Sequence, residues 1–306
     1  MKILTQDDLP IRQDTAVAIG LFDGVHEGHR TLIEDIENQE GLFSLVYTFD
    51  GKPNHAAYKN IYTLQEKEEI FADMQVDGFY LQAFDRQFSQ MTKQEFIKRL
   101  VHDFHAKHIT VGFDFRFGKN AEGTTDYLRE QSGKYGYTLH VMPRIEYHGE
   151  KVSSSYIREL ILAGNMEETA KLLRRFYFVD GTIEKGNHLG SKIGFPTANI
   201  STDKLLPQYG VYATIAQVDG NLYSAVTNVG TKPTVKSDDT PNIETFILDF
   251  SGDVYNEEMR VYFVRQIRRE KAFANVDELK RQIASDARSA SGMLENLEVY
   301  KDYIIC

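Results

Sequence analysis

The chain has 306 residues, enough for two domains at roughly 150 residues each, and its apolar and charged fractions of 42% and 26% are those of a globular protein. A formal net charge of -10 disfavours nucleic acid as a main partner, because a phosphate backbone wants a basic face. The single cysteine, Cys306, excludes a disulfide framework within the chain. With no signal-peptide core and no apolar run of about 20 residues, the expectation is a cytoplasmic protein that does not enter a membrane.

From residue 15 to about 175, apolar runs alternate with helical patterns. "TAVAIGLF" reads as a buried strand and "RTLIEDIENQ" as a helix. "LFSLVYTF", "GFYLQAF", "KHITVGFDF" and "TLHVMPRI" read as four more strands. Between them lie "TLQEKEEIFADM", "TKQEFIKRLVHDF" and "TTDYLREQSGKYG", all of helical spacing. Thr92 and Glu95 form a capping-box signature. This alternation predicts a parallel sheet covered on both faces, with ligands beyond the carboxyl ends of its strands. Two helices, "SSYIRELILAG" and "MEETAKLLRRF", lead out of this half. After Phe176 short strands dominate, and Asp219-Gly220 marks a hairpin. That rhythm suggests a small barrel or sandwich, closed by a helical tail from "NVDELKRQIASD" onward. The boundary is expected at 176/177, giving domains 1–176 and 177–306.

The stretch "GLFDGVHEGH" stands where the first strand hands over to a helix. Gly24 supplies a turn conformation, and Gly28 lets a ligand approach the backbone. A helix start offers free N–H groups and a positive dipole end to phosphate. His26 and His29 would share one helix face. A phosphate cradle, a metal site with Asp23 as a further ligand and an ordinary turn all stay open on these residues alone. "VSSSYIREL" opens a later helix with Ser153, Ser154 and Ser155, and Arg158 follows one turn in, able to fork onto phosphate oxygens.

In the second half, "GTIEKGNHLGSKIGFPTANI" carries Gly186, Gly190 and Gly194 before Thr197 and Asn199, whose oxygens suit magnesium. Alternation along "IETFILDF" sets Glu244 on one face with Phe246, Leu248 and Phe250. A carboxylate desolvated by such neighbours is suited to take a proton from a hydroxyl. Exposure at the strand's start is the alternative.

"GLFDGVHEGH" resembles the HxGH signature of the nucleotidylyltransferase superfamily, in the form found in bacterial FAD synthetases. "VSSSYIREL" and "VGFDFRFGKNAEGT" are similar to two further stretches of that family. "GFPTAN", "GVYA", "NVGTKPT", the Glu244 strand and the "RREKAF" tail resemble the riboflavin kinase family. In this order they look like the prokaryotic bifunctional FAD synthetase. The resemblance implies an α/β fold: a Rossmann-like nucleotidylyltransferase domain, then a small antiparallel barrel with a C-terminal helix. It implies riboflavin phosphorylation to FMN and adenylylation of FMN to FAD, with ATP as co-substrate and Mg2+ as cofactor. By resemblance His26, His29 and Arg158 are catalytic in the first domain, and Gly20, Phe22, Asp23, Gly24, Gly28, Ser154 and Ser155 bind phosphate. Asp114, Phe115 and Phe117 meet the flavin. In the second domain Gly186, Gly194, Thr197 and Asn199 hold ATP, the last two with the metal, and Glu244 is the base. The departures are "FDGKP" at 49–53, where the family commonly has Phe-Asp-Pro-His-Pro, together with Ser191 and Lys232 in the kinase loops. The expected partners are riboflavin, FMN and ATP, with no nucleic acid, and nothing indicates an oligomer. The alternatives are a riboflavin kinase whose first domain is inactive, another nucleotidylyltransferase using the barrel to bind substrate, and a non-enzymatic flavin-binding regulator.

Overall fold

A computed structural model describes residues 1–50, 59–184, 193–231, 241–252 and 254–305. Gly51 to Pro53, Gly186, Gly190, Ser191 and Lys232 lie outside the described residues. The chain divides into two compact units, Met1–Ser154 and Ser155–Cys306.

The first unit is built on a six-stranded parallel sheet, β1 (Lys2–Leu4), β2 (Thr15–Ile19), β3 (Phe43–Asp50), β4 (Gly78–Ala83), β5 (Ala106–Gly112) and β6 (Thr138–Met142), in the order β1-β4-β3-β2-β5-β6. Its helices are α1 (Glu27–Glu37), α2 (Leu64–Asp73), the short α3 (Arg86–Ser89), α4 (Lys93–His102) and α5 (Thr125–Tyr135). The expected five strands are all present. β1 adds a sixth, too short to leave a periodic signal. Thr92 closes its capping box, with its Oγ1 accepting from the Glu95 amide at 3.2 Å and its own N–H donating to the Glu95 carboxylate at 2.8 Å. Val17, Leu45, Tyr47, Tyr80, Phe96, Phe104 and Ile109 form the core on one face of the sheet. β2 lies between β3 and β5, so the chain reverses direction across the sheet at β2. In open α/β sheets the crevice at such a reversal takes the ligand. The loop after β2 and the loop after β5 both open there. A two-stranded ribbon, β7 (Glu146–Tyr147) and β8 (Glu150–Lys151), follows.

The second unit begins with α6 (Ser154–Leu162) and α7 (Met166–Leu173). Its sheet is antiparallel throughout, in the order β10-β13-β12-β11-β14-β9. The strands are β9 (Tyr177–Thr182), β10 (Ala198–Ile200), β11 (Gly210–Val218), β12 (Asn221–Thr231), β13 (Pro241–Ile247) and β14 (Glu258–Arg269). The sheet curls until its edges meet through one bridge, the Glu184 N–H donating to the Asn199 carbonyl at 2.8 Å. Asp219 and Gly220, at φ 48° and 74°, make the expected hairpin turn between β11 and β12. Inside the curl, Thr214, Thr227 and Thr245 link hydroxyl to hydroxyl at 2.8 and 2.9 Å. α8 (Val276–Met293) packs over β11 and β12, and Arg268 on β14 forks onto its buried Asp286.

The two compact units divide at 154/155. The change of rhythm after Phe176 marks where strands begin. α7, however, packs on β9 and β14, and Gly164 lies so close to Tyr212 that a Cβ there would come within 2.9 Å of the phenol oxygen. No described helix is long and apolar enough to cross a membrane.

Candidate functional site

In the first unit β2 ends at Ile19, and Gly20 to His26 form a tight loop into α1. The loop is unusually contorted, with Phe22 at φ 49°, Gly24 at 88° and Val25 at 40°. Left-handed backbone at a β-branched valine is rare and stores strain, a pattern concentrated at functional loops. Surrounding bonds hold the conformation. The Asp23 carboxylate accepts from the Ile61 N–H at 3.0 Å, and the Ser154 hydroxyl donates to the Asp23 carbonyl at 2.7 Å. Phe22 is fully buried, and its ring lies against Gly20, where a Cβ would stand 3.3 Å from it. Phe22 and Ser154 therefore shape the loop from behind.

His26 is the N-cap of α1, and its side chain makes no capping bond. Its ring stacks on that of His29, with centroids 3.8 Å apart and planes 17° apart. The spacing expected for two imidazoles on one face is realised as direct contact. Burial pushes the His29 imidazole well below its usual range, and the charges of His26 and Lys67 add to the effect. Its Nδ1 is buried without a hydrogen-bond partner among the described residues. Among the described residues only the His26 ring lies within 4 Å of where a Cβ on Gly28 would sit. No third ligand completes a metal site with this pair among the described residues.

Nothing in the sequence sets Lys67 apart. Its place in the helical run "LQEKEEIF" is that of an ordinary surface charge. In the fold it is buried, with its ammonium 3.4 Å from the Leu21 carbonyl. Burial lowers its proton affinity, and the carboxylates of Asp23 and Asp50 oppose that. A cation thus lies under the strained loop.

Beyond β5, Asp114 is exposed and paired with Lys151, and Phe115 is half-buried. Phe117 stacks on Phe115 at 5.6 Å but belongs to the core beside Phe96. In the second unit, on α6, Ser155 is exposed and Arg158 half-buried.

The barrel site is more compact. Asn199 on β10 and Asn228 on β12 are the register partners of Glu244 on β13, so the carboxylate stands between two amides. The strand's buried face carries Ile243, Thr245 and Ile247, and Glu244 lies half-buried on the opposite face with Phe246 and Leu248. Its immediate partner is polar rather than apolar. The Asn242 amide donates to Glu244 Oε1 at 2.7 Å. Asn242 is 4% exposed, and its own Oδ1 has no partner among the described residues. Asn199 is equally buried, and among the described residues its Oδ1 accepts only a long 3.4 Å contact from Asn242. Thr197 lies two residues back along the chain, half-buried, and Gly194 at φ 90° turns the backbone toward it. Next to Thr197 is a cleft of about 440 Å3, lined by Pro196, Thr245, Ile247, Phe250 and Tyr255, with volume and apolar walls suited to a ring system. A second cleft of about 290 Å3 in the first unit is lined by Leu4, Pro10 and Phe43, and none of the loop residues from Gly20 to His29 lines it.

Residues 8–156 match the family model for FAD synthetase, and residues 173–294 match that for riboflavin kinase. The chain is 34% identical to the bifunctional riboflavin kinase/FMN adenylyltransferase of Listeria monocytogenes, with 92% of this chain and 93% of that one covered. It is 33% identical to the Bacillus subtilis protein of the same name, at 92% and 93% coverage. A crystal structure described as a macrolide-efflux protein from Streptococcus pneumoniae superposes with a TM-score of 0.86 at 30% identity, covering 94% of this chain and 98% of that one. A histidine-bearing loop at a parallel-sheet crevice and an Asn-Glu-Asn row on a curled antiparallel sheet thus occur in one chain, in the order and over the length of these relatives: the chain belongs to the bifunctional riboflavin kinase/FMN adenylyltransferase family.

Proposed function

We propose that the chain phosphorylates riboflavin at its ribityl 5′-hydroxyl to give FMN, and then joins FMN to AMP from a second ATP, releasing pyrophosphate and forming FAD. The observation that carries this reading is the pairing of two different chemistries in one chain, each matched to its own nucleophile. An alcohol is a poor nucleophile, and Glu244 on the barrel takes its proton as it attacks the terminal phosphorus of ATP. The Asn242 amide fixes one carboxylate oxygen and leaves the other for the hydroxyl.

The FMN phosphate is already anionic and needs no base. His26 and His29 supply N–H donors where charge builds on the triphosphate, and the first turn of α1 supplies backbone donors. Gly20, Phe22, Asp23, Gly24 and Gly28 shape that cradle, and Lys67 adds a positive field beneath it. Ser155 and Arg158 serve the same triphosphate, and Asp114 and Phe115 receive the flavin. Thr197 Oγ1 and Asn199 Oδ1 fit Mg2+, being hard oxygens of which the second has only one long bond among the described residues. The ion's contribution is to neutralise phosphate oxygens during transfer. The functional domains run 1–176 and 177–306, the partners are these small molecules alone, and the setting is cytoplasmic.

The test is a time course with purified protein, riboflavin, ATP and Mg2+, resolved by chromatography. FMN rises first and FAD follows. Accumulation of FMN alone, with FMN and ATP in excess, overturns the adenylyl-transfer half and favours a kinase with an inactive first domain. Flavin binding with no new product favours a regulator.

A further inference from the structure

We propose a site for a transition-metal dication of the zinc type in the first unit, formed by Asp35, His108 and His140 and separate from both reaction centres. Asp35 is on α1, His108 on β5 and His140 on β6. Among the described residues they form the one group of three His, Cys, Asp or Glu side chains whose donor atoms all lie within 4.8 Å of one another. His108 Nε2 is 2.7 Å from Asp35 Oδ2, and His140 Nδ1 is 2.7 Å from Asp35 Oδ1. At about 1.5 Å of rise per residue, Asp35 lies roughly 9 Å along α1 from His29, toward the far end of the sheet.

The surrounding hydrogen bonds decide what the donors want. The Thr138 hydroxyl donates its proton to the Lys107 carbonyl at 3.2 Å. It also lies 2.7 Å from His108 Nδ1 and so fixes the orientation of the ring. His108 Nε2 points at the Asp35 carboxylate, an arrangement that either a proton or a metal ion between them satisfies. Thr110 holds the same carboxylate oxygen, its hydroxyl donating to Asp35 Oδ2 at 2.5 Å. Sheet register builds the set, because His108 pairs with Thr138 and Thr110 with His140 across β5 and β6. An imidazole whose second nitrogen is oriented by a hydroxyl, and a carboxylate held by another, are the supports that metal ligands carry.

Two imidazole nitrogens and one carboxylate match zinc and its neighbours, with water in the remaining position, whereas magnesium asks for oxygens. Tetrahedral bonds of about 2.0–2.1 Å separate the donors by roughly 3.3 Å, so the cluster opens slightly on loading. His140 allows this. Its side chain is 57% exposed, against 4% for His108 and 12% for Asp35, so it is also the route of entry. The bound ion would tie α1, the helix that presents His29, to two strands.

The experiment uses the full chain stripped with chelator, then titrated with Zn2+ against a chromophoric competitor and with Co2+ by visible absorption. One equivalent is expected, with cobalt bands of a low-coordinate nitrogen–oxygen site. His140→Ala, on an exposed side chain, weakens binding roughly tenfold or more and abolishes those bands, while circular dichroism and conversion of supplied FMN to FAD, the first unit's own reaction, show that the variant is folded. Asp35→Asn does the same. Absence of tight binding in the wild-type chain, or binding and spectra unchanged in His140→Ala, overturns the proposal and leaves a shared proton as the occupant.

Discussion

His26 and His29 stack ring on ring at 3.8 Å, and two imidazolium ions cannot share that distance in a buried place. His29 therefore rests neutral, its proton affinity held well below the ordinary histidine range by burial first and by the charges of His26 and Lys67 second. The consequence for stability has a definite sign. The unfolded chain takes up a proton on this residue near pH 6.5, and the folded chain resists until lower pH. Stability is present in full above that value and falls as pH drops from about 6.5 toward the folded value. Thermal melts between pH 7.5 and 5 are expected to show the loss, and His29→Gln to flatten it. The approach of a triphosphate reverses the preference, because anionic oxygens favour the imidazolium. ATP binding to the first unit near pH 6 should then take up protons. Calorimetry in buffers of different ionisation enthalpy measures this uptake, and an equal uptake in His29→Gln would refute the assignment.

Glu244→Gln keeps the shape and the Asn242 contact and removes the base. Riboflavin phosphorylation should fall about 10²–10⁴-fold, the range for loss of a positioned general base. Conversion of supplied FMN to FAD should hold within about twofold, since that reaction belongs to the other unit. His29→Ala should give the opposite pattern. Chromatographic assay of the two steps on one preparation reads both. Loss of both steps in either folded variant would break the division of labour.

The alternation of strands and helices made the parallel sheet legible, because buried strands and amphipathic helices leave runs long enough to show a period. β1 and β10 left none. Each is three residues long, and "PTAN" carries the turn chemistry of Pro and Asn although Ala198 and Asn199 are paired strand. Glu244 was found by alternation, but its controlling neighbour Asn242 was not. A buried asparagine two residues before a glutamate reads in sequence as polar strand-edge decoration. Lys67 was hidden for a similar reason. Helical spacing says which residues share a face and not that a loop from β2 folds over one of them. The serines show a further limit. Sequence groups Ser153, Ser154 and Ser155 together, whereas the fold commits the Ser154 hydroxyl to the Asp23 carbonyl. Phe115 and Phe117 share one side of the chain by alternation, and only packing puts the second in the core.

Gly24 tests whether the contorted loop is a requirement. At φ 88° an alanine suffers the left-handed penalty of about 1–2 kcal/mol. Gly24→Ala should either lower the melting temperature of the first unit or relax the loop and slow adenylyl transfer. Phosphorylation of riboflavin should not change. Wild-type stability together with wild-type FAD formation would mean that the turn is incidental.

Lys67→Met separates structure from function at the same loop. Methionine preserves the length and the apolar stem and removes a buried charge, a change that is often neutral or stabilising in a protein interior. The melting temperature should therefore stay level or rise. Adenylyl transfer should nevertheless drop, because the loop loses a cation from beneath the place where the triphosphate gathers charge. A hydrogen bond or field contribution from a charged group is worth about 1.5–3 kcal/mol, which is roughly ten- to hundredfold in rate. If Lys67 acts on the triphosphate as the reaction proceeds, kcat for FAD formation carries the loss. If it only shapes the resting loop, KM for ATP carries it, and Lys67→Arg fails as badly as the methionine. Riboflavin phosphorylation serves as the internal control. A variant that is as stable as the wild type and makes FAD at the wild-type rate would reduce Lys67 to a packing residue.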